Sequence, residues 1–401
     1  MNEAINNSVN NSNKSVIEHT PIFIRYKTTQ IIDIKLICDI AKEYVNDIHS
    51  YNEYSNAYYS WLELEESNRY PLDSINIWDG KWIDINSISS YHLDRSINVV
   101  MSDISCIITS NINNIPSGTN IQKYLNFSNI NFPSLAQPFE SRFTSKCKNC
   151  NIQLSDDFHI IYHKNKCKQS TLNTPHFSMN VNLEEAELLG ILIGNPENTK
   201  SRIYQFITTD NNKALYVEKL WYIICRIMGK KGNVEKYENP FDDIIETKNK
   251  LRFEGYDFFG KFSIHNMNKD GKKIPIQILN GNVSVKYRFL QGYNYISGGI
   301  YNARSSNFER HYLISSSLLT QGMLFLLKEC MISWKLRTII NQDGDVMYCI
   351  LINPVTQSYN TINEIVEIEN PSNKGLQLYS INTSHGILCC GVGIGKIFSK
   401  K

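Results

Sequence analysis

The chain has 401 residues, of which 42% are hydrophobic, and its 41 basic and 39 acidic residues leave a formal net charge of +2. Since one domain takes roughly 100 to 200 residues, this length predicts two or three domains, each apolar enough to bury a core. The near-neutral charge excludes the strong overall field of a dedicated polyanion binder, so any basic surface must be local.

The chain begins with a polar segment, residues 1–14, whose Asn- and Ser-rich composition predicts a disordered tail. This segment holds no apolar signal core, and no later stretch is long and apolar enough to span a membrane. The ten cysteines therefore indicate reduced thiols or metal ligation in a soluble, intracellular protein. Abundant Asn, Ile, Lys and Tyr indicate an AT-rich genome, such as that of a large DNA virus.

Hydrophobic patterns divide the rest of the chain. Short β-branched and aromatic runs predict antiparallel strands over 20–34 and 75–110, with helical character over 35–51 and 54–66 between them. From residue 183 the apolar spacing nears 3.6, which predicts helices over 184–193, 211–228, 285–295 and 313–331. Strands over 202–209 and 346–352 alternate with these helices, and 362–401 returns to short strands. The alternation predicts an α+β domain.

Four potential metal ligands, Cys147, Cys150, His163 and Cys167, follow one another as C-x2-C-x12-H-x3-C. Cysteine and histidine at this spacing are typical of a tetrahedral structural Zn2+ site. His159 is a rival for the third position. Because lysines surround the ligands, one interpretation of this zinc-finger-like segment is that it contacts phosphates. The alternative is that its metal ion stabilises the folded chain between two domains.

Two apolar helical segments with internal glycines, LLGILIGN at 188–195 and FLQGYNYISG at 289–298, resemble the paired helices of LAGLIDADG homing endonucleases. In that family the helices pack through small residues, and an acid at the end of each helix helps to hold catalytic Mg2+. Asn195 and Ser297 stand at these acid positions. The resemblance therefore implies that DNA cleavage is lost. Mg2+ is expected as a cofactor only if DNA cleavage survives. Glu197 and Asp343 are the nearest other acids, but the spacing favours neither.

The segment 271–275 (GKKIP) resembles the Lys-x-Ile-Pro element that precedes the second paired helix in intein endonucleases. The resemblance implies that Lys273 is a preserved active-site lysine, and the alternative is a solvated lysine in a turn. The helix over 316–328 and the strands over 335–341 and 345–352 resemble the elements that close the second half of such enzymes.

Both chain ends resemble the all-β Hint domain of inteins, in the group found in B-family DNA polymerases. Segments 15–24, 78–82, 363–368, 378–381 and 391–393 carry this resemblance. Splicing needs an N-terminal nucleophile, a Thr-x-x-His element and a terminal His-Asn. Ser15 and Thr109 stand at the nucleophile and threonine positions, and His385 corresponds to the family's late histidine, with a surface-turn histidine as the alternative. Ile112 replaces the histidine of Thr-x-x-His, and the chain ends in Ser-Lys-Lys without a His-Asn. The resemblance thus implies a degenerate, stand-alone intein derivative that no longer splices.

The predicted fold is a multidomain α+β protein. It consists of a disordered tail (1–14), the N-terminal half of a Hint-like domain (15–135), a C2HC zinc-finger-like segment (136–175), a pseudo-twofold LAGLIDADG endonuclease-like domain of αββαββ order (180–352) and the C-terminal half of the Hint-like domain (353–401). Because the two endonuclease halves lie in one chain, we expect a monomer.

The leading hypothesis is a protein that binds double-stranded DNA without cutting it. In the family, two sheets form a saddle that contacts bases and phosphates. Basic residues of the endonuclease-like part are candidate contacts, although each is otherwise a solvated surface charge: Arg202, Lys213, Lys230, Lys231, Lys335 and Arg337. One alternative is an active or nicking endonuclease that uses other acids. Another is an architectural or virion-associated protein without DNA recognition, which the near-neutral charge favours.

Overall fold

The fold is described from a computed structural model of the chain. It covers residues 16–27, 29–45, 49–52, 57–60, 70–93, 97–110, 132–134, 180–195, 205–237, 249–256, 258–262, 272–297, 310–342, 344–354, 362–368, 376–384, 387–393 and 396–398. The predicted tail and the predicted zinc-finger-like segment lie outside these described residues. The described part of the chain is mixed α+β, and its larger sheets are built mainly from antiparallel strand pairs, with one parallel pair in the largest sheet.

The first part of the chain is rich in strands because isoleucine and valine recur in short runs, several of which are buried on both faces. A short α-helix, α1 (Ile37–Glu43), and a 3-10 turn at Leu72–Ser74 interrupt them. The strands are β1 (Val16–Ile17), β2 (Pro21–Tyr26), β3 (Ile32–Leu36), β4 (Tyr44–Val45), β5 (His49–Asn52), β6 (Ala57–Ser60), β7 (Tyr70–Pro71), β8 (Ile75–Trp78), β9 (Trp82–Leu93), β10 (Ile97–Ser102) and β11 (Ser105–Ser110).

The middle of the chain, residues 180–354, forms what we call the helix-pair unit. Its first half contains α2 (Leu183–Gly194), β12 (Gln205–Thr208), α3 (Asn211–Ile227), β13 (Asn233–Tyr237), β14 (Asn249–Glu254) and α4 (Phe258–Lys261). Its second half contains α5 (Ile276–Leu279), α6 (Val283–Ser297), β15 (Arg310–Ile314), α7 (Ser317–Glu329), β16 (Trp334–Ile340) and β17 (Val346–Ile352).

The two halves of the helix-pair unit repeat one topology. Each runs helix, strand, helix, hairpin, and in each the last strand lies in the middle of a three-stranded antiparallel sheet, β12-β14-β13 and β15-β17-β16. In the expected αββαββ order, two strands separate the two helices of each half, and the described part of each half contains one of these strands. Residues 196–204 and 298–309, which lie between the first helix of each half and this strand, fall outside the described residues.

Local signals explain where the paired and flanking helices begin. The Asn182 side chain accepts from the Glu185 amide while the Glu185 carboxylate accepts from the Asn182 amide, which is a capping box. Asp210 caps α3 and Ser316 caps α7 in similar ways. Every residue of α2 from Glu185 onward is buried, as expected of a helix inside the core.

The end of the chain returns to the first sheet and completes what we call the β unit. Its strands are β18 (Ile362–Ile368), β19 (Leu376–Thr383), β20 (Ile387–Cys389), β21 (Val392–Gly393) and β22 (Lys396–Phe398). The main strand order is β18-β10-β11-β1-β19-β9-β8-β2-β3. Val16 of β1 therefore lies between Thr109 of β11 and Tyr379 of β19. The first described strand thus shares one sheet with β18, β19 and β21, whereas β20 and β22 pair with each other in a separate sheet.

Buried hydrogen bonds join the β unit to the helix-pair unit. The Ile32 amide donates to Asn280 Oδ1 at 2.9 Å, and Asn280 Nδ2 donates to the Ile32 carbonyl at 2.7 Å. The Gly393 amide donates to Gln321 Oε1 at 2.6 Å, and Gln321 Nε2 donates to the Gly393 carbonyl at 3.0 Å. Each amide side chain mimics a strand partner for the backbone it meets, so the two units are locked together at two points.

Most predicted elements are confirmed, but three helix predictions are wrong in part. Among the described residues of the helix expected over 35–51, Ile37–Glu43 is helical, whereas Tyr44–Val45 and His49–Asn52 are strands. Ala57–Ser60 is also a strand rather than part of a helix. Leu313 and Ile314 end β15, because the cap at Ser316 starts the next helix later than expected. None of the described helices combines the length and apolarity needed to cross a membrane.

Candidate functional site

The paired helices α2 and α6 touch through two glycines in a reciprocal way. A Cβ atom on Gly190 would lie 2.1 Å from the backbone oxygen of Phe289, and one on Gly292 would lie 2.1 Å from the backbone oxygen of Glu187. Each glycine therefore meets the residue three positions before the other glycine. This reciprocity relates the helices by an approximate twofold axis, and it makes Asn195 and Ser297, five positions after each glycine, equivalent positions.

The equivalent positions lie at the C-terminal ends of the two helices, which are close together. A Cβ atom on Gly194 would lie 3.4 Å from Ser297 Oγ. Asn195 is buried, and its Nδ2 donates to the carbonyl of Ile207 in β12 at 3.0 Å. Ser297 Oγ donates to the Tyr293 carbonyl of its own helix at 2.7 Å. Both side chains thus act as hydrogen-bond donors to backbone oxygens, a role that a carboxylate cannot fill.

A buried lysine sits at the end of α2. Lys272 Nζ donates to the carbonyls of Ile193 and Asn195 at 3.1 and 3.0 Å. Ser316 Oγ fixes the lysine backbone by donating to the Lys272 carbonyl at 2.7 Å. Burial lowers the pKa of Lys272 to about 8, so the side chain is mainly an ammonium ion at neutral pH. An ammonium here neutralises the partial negative charge at the C-terminal end of α2.

These residues do not fit a catalytic Mg2+ ion. A hard divalent cation is held by oxygen ligands that include carboxylates, whereas the helix ends offer an amide, a hydroxyl and a nearby ammonium. Among the described residues, no group of three or more His, Cys, Asp or Glu side chains could hold a metal ion. Glu197 and Asp343, considered as substitute acids, lie outside the described residues, as do the predicted zinc ligands Cys147, Cys150, His163 and Cys167 and their rival His159.

The lysine predicted at the site lies in a different place from the buried one. The side chain of Lys273 is 41% exposed, and its Nζ is 3.8 Å from Asp33 Oδ1 in the β unit. Lys272, which the prediction passed over, contacts the helix end instead. The Lys-x-Ile-Pro spacing itself already indicates Lys272, because that residue stands two positions before Ile274.

Of the predicted splicing residues, the structure describes only Thr109. Its side chain is buried in β11, and its Cα is opposite Val16 of β1. Ser15, His385 and Ile112 lie outside the described residues.

The outer faces of the two three-stranded sheets, β12-β14-β13 and β15-β17-β16, carry both charged and apolar side chains. In β14, Leu251 and Phe253 are buried, so Arg252 between them points outward, where Glu235 and Glu254 oxygens lie 3.9 and 3.6 Å from its guanidinium. In β16, the exposed Arg337 follows the buried Leu336. The Arg337 side chain lies on the same face of the sheet as Leu313 and Ile339, which are 47% and 46% exposed.

The remaining candidate DNA contacts are spread over the helix-pair unit. Lys213 Nζ lies 5.9 Å from the ring centre of Tyr295. Lys230 and Lys231 are exposed in the turn that follows α3. Lys335 Nζ is 2.9 Å from Asp103 Oδ2 with 15% of its side chain exposed, so it belongs to the junction with the β unit. Arg202 lies outside the described residues. The missed candidate is Arg252, which strand alternation in Leu-Arg-Phe could have identified.

Comparison with known proteins gives partial structural likenesses. No protein-family model matches the chain, and no curated protein matches it. Among solved structures, an I-DmoI variant in complex with its target DNA and Mn has a TM-score of 0.32 and 13% identity over 43% of this chain and 87% of that one. Mesophilic variants of the homing endonuclease I-DmoI have a TM-score of 0.31 and 10% identity over 42% and 90%. The homing endonuclease I-WcaI bound to its DNA recognition sequence has a TM-score of 0.27 and 12% identity over 42% and 75%.

Proposed function

We propose that the chain is an intein-derived, LAGLIDADG-like protein that binds double-stranded DNA and performs neither protein splicing nor DNA cleavage. The observation that carries the proposal is the reciprocal contact of Gly190 and Gly292, together with the non-acidic Asn195 and Ser297 at the equivalent helix ends. The contact fixes two similar half-units against each other. The helix ends lack the fixed negative charge that metal-dependent cleavage needs.

Binding to DNA is supported by the arrangement of the two small sheets. The helix pair holds their strands in fixed relation, and β-strands are elements that DNA grooves can accommodate. Arg337 and Arg252 point from the outer faces. Although Arg252 is close to Glu235 and Glu254, exposed ion pairs contribute only about 0 to 1 kcal/mol, so phosphates can compete for the guanidinium. Lys230 and Lys231 add positive charge at the turn after α3.

Loss of cleavage is supported by hydrogen bonding as well as by charge. The Asn195 amide donates to the Ile207 carbonyl, and the Lys272 ammonium occupies the adjacent carbonyls of α2. Both features stabilise the helix ends without an acid. Loss of splicing is supported by the sequence alone, since an aliphatic side chain at Ile112 cannot transfer a proton. We further propose one structural Zn2+ at Cys147, Cys150, His163 and Cys167, on their spacing.

Selection from a random DNA duplex library tests the proposal. Zinc-loaded protein, without Mg2+ and at near-physiological salt, is expected to enrich a long, non-repetitive sequence. That duplex is then incubated with Mg2+ and with Mn2+, and we expect it to remain intact. Failure to enrich any sequence, with only salt-sensitive background binding, would overturn the DNA-binding proposal, and strand breakage would overturn the loss of cleavage.

Substitutions on the sheet faces then localise the contact. We expect Arg337→Ala or Arg252→Ala to weaken binding about three- to tenfold and to reduce the slope of log affinity against log salt by about one per lost phosphate contact. Lys219→Ala is the matched control, because Lys219 is exposed on α3, whose other face packs against β12 and β14. This control is expected to bind like the wild type.

An architectural, protein-binding role is a second candidate, and the exposed Leu313 and Ile339 favour it. Apolar side chains on the same face as Arg337 suit a protein partner better than a polyanion. Under this alternative, binding to the natural partner depends weakly on salt, and Leu313→Ser weakens it more than Arg337→Ala does.

A further inference from the structure

The outer side of α3 carries a patch of exposed apolar side chains. Leu215, Tyr222, Ile223 and Ile227 are 48%, 43%, 47% and 52% exposed. They recur at the spacing of one side of a helix. The opposite side, which includes Val217, is buried, and α3 packs against α2, β12 and β14. Single exposed apolar residues are ordinary, but several on one side of a helix form a patch that marks an interaction site.

Two basic residues run along the middle of this patch, which we call the α3 outer face. A helix advances about 100° per residue, so Lys219 and Arg226 lie between two apolar rows. The rows are Leu215 with Tyr222 on one side and Ile223 with Ile227 on the other. Both basic residues are exposed. Glu218, the acid next to Lys219 in the chain, is paired with Lys236 at 2.8 Å, so the face keeps its positive charge.

The second half of the helix-pair unit contains an equivalent helix, α7. Asp210 caps α3 and Ser316 caps α7, which aligns the two helices position by position. The buried sides agree with this alignment, since Val217 and Met323 stand at the same distance from their caps and are both buried.

The face of α7 that is equivalent to the α3 outer face is covered by the β unit. Gln321, which corresponds to Leu215, exchanges hydrogen bonds with the backbone of β21. Phe325, which corresponds to Lys219, is buried, and its ring centre lies 5.5 Å from that of Phe23 in β2. This side of the helix is therefore a surface on which a second folded unit packs, and the described residues leave it open on α3.

We propose that the α3 outer face is a docking surface for a partner protein that presents an acidic, apolar segment. Carboxylates of the partner lie opposite Lys219 and Arg226, and its apolar side chains cover the two flanking rows. This inference does not rest on the proposed function, because the sheet faces proposed to contact DNA lie elsewhere on the helix-pair unit.

The position of the charges selects this partner over other occupants. A second copy of the chain that used the same face would bring two basic rows together and leave their charges unpaired. A lipid surface would draw the middle row deepest into the hydrocarbon, where a cation is costly. A nucleic acid would leave the apolar rows against phosphates. Only carboxylates flanked by apolar groups satisfy both the middle row and its two sides.

A displayed library of random peptides, each long enough for about four helical turns, supplies the probe. Peptides are selected on the immobilised full-length wild type. The enriched peptides are then measured by fluorescence anisotropy against the wild type, Ile223→Ser and Lys219→Glu/Arg226→Glu. The matched controls are Ile339→Ser, at an isoleucine of similar exposure on another face, and Lys81→Glu, at an exposed lysine in the β unit.

We expect the enriched peptides to combine acidic and apolar residues. Ile223→Ser should weaken their binding at least about fivefold, and reversal of the two charges should weaken it at least about tenfold. Both controls should bind like the wild type. A peptide whose acids are replaced by lysine should bind Lys219→Glu/Arg226→Glu better than the wild type, which a merely unfolded variant would not do.

Peptides that bind Ile223→Ser as tightly as the wild type, or an enriched set without acidic residues, would overturn the proposal. So would self-association in sedimentation that Ile223→Ser abolishes, because the occupant would then be a second copy. Binding to phosphatidylcholine–phosphatidylserine vesicles that depends on Ile223 would also overturn it. Duplex binding by the wild type is measured separately, and its absence would overturn the proposed function while leaving the peptide result standing.

Discussion

Replacing Gly190 by alanine is expected to push the paired helices apart. The added Cβ would lie 2.1 Å from the Phe289 oxygen and 2.6 Å from the Tyr293 nitrogen, where ordinary contacts begin at 3.4 Å. To remove this clash, α6 must move away from α2 by roughly 1 Å. A gap of this size costs about a quarter to a half of the dispersion energy of the contacts that it separates. Overpacking costs about 1 to 3 kcal/mol or more, and the better helix propensity of alanine offsets about 1 kcal/mol. We expect a net loss of about 2 kcal/mol in the free energy of unfolding, measured by urea denaturation.

Gly194→Ala is the matched control, because it brings the same gain in helix propensity in the same helix. Its nearest contacts would be at 3.2 Å, so small shifts suffice and the stability should stay within about 1 kcal/mol of the wild type. The double variant Gly190→Ala/Gly292→Ala should cost less than the sum of its parts, since one displacement relieves both clashes. A loss for Gly190→Ala no larger than that for Gly194→Ala would refute the reciprocal backbone contact.

Three further predictions concern Lys272, the junction and the zinc ligands. Because the pKa of Lys272 is lowered from 10.5 to about 8, the unfolded chain binds more protons than the folded chain between these pH values. The free energy of unfolding of the wild type minus that of Lys272→Gln should therefore rise by up to about 3 kcal/mol as the pH increases across this window. A difference that does not change with pH would contradict the lowered pKa of Lys272. Asn280→Ala leaves the Ile32 amide and carbonyl without their side-chain partner at the junction. We expect urea denaturation to show a loss of about 2 to 4 kcal/mol in the free energy of unfolding. The control, Asn212→Ala at an exposed position, should be as stable as the wild type. Atomic absorption should find about one Zn2+ per chain, less in Cys147→Ser, and a zinc-free wild type would exclude the site.

The sequence predicts elements well where local signals agree with the fold. α2 and α3 have both apolar spacing and capping residues, so their bounds are recovered closely. The failures lie where distant pairing decides. Tyr44 continues α1 in the local pattern, but its strand pairs with Tyr70, and β5 pairs with β9. Such contacts join residues far apart in the chain, and local spacing carries no record of them.

The site shows the same division between local and distant information. Asn195 and Ser297 can be found because glycines and apolar residues mark their helices. Their equivalence, however, follows from backbone contacts across two helices. Lys272 and Lys273 are adjacent and chemically identical, and the prediction chose Lys273, although the Lys-x-Ile-Pro spacing indicates Lys272, the residue that is buried. The hydrogen bonds from Lys272 to the end of α2, by contrast, join residues far apart in the chain.

The helix pair alone does not decide between a DNA partner and a protein partner. The glycine contact of α2 and α6 is needed for packing whatever the protein binds, because a Cβ atom clashes with backbone in either case. The outer faces carry the discriminating chemistry. Burying Leu313 and Ile339 against DNA gains little beyond contacts with thymine methyl groups, whereas burying Arg337 against an apolar protein surface leaves a charge unpaired. A steep salt dependence that Arg337→Ala reduces and Leu313→Ser leaves intact therefore requires a phosphate backbone as the partner of this face.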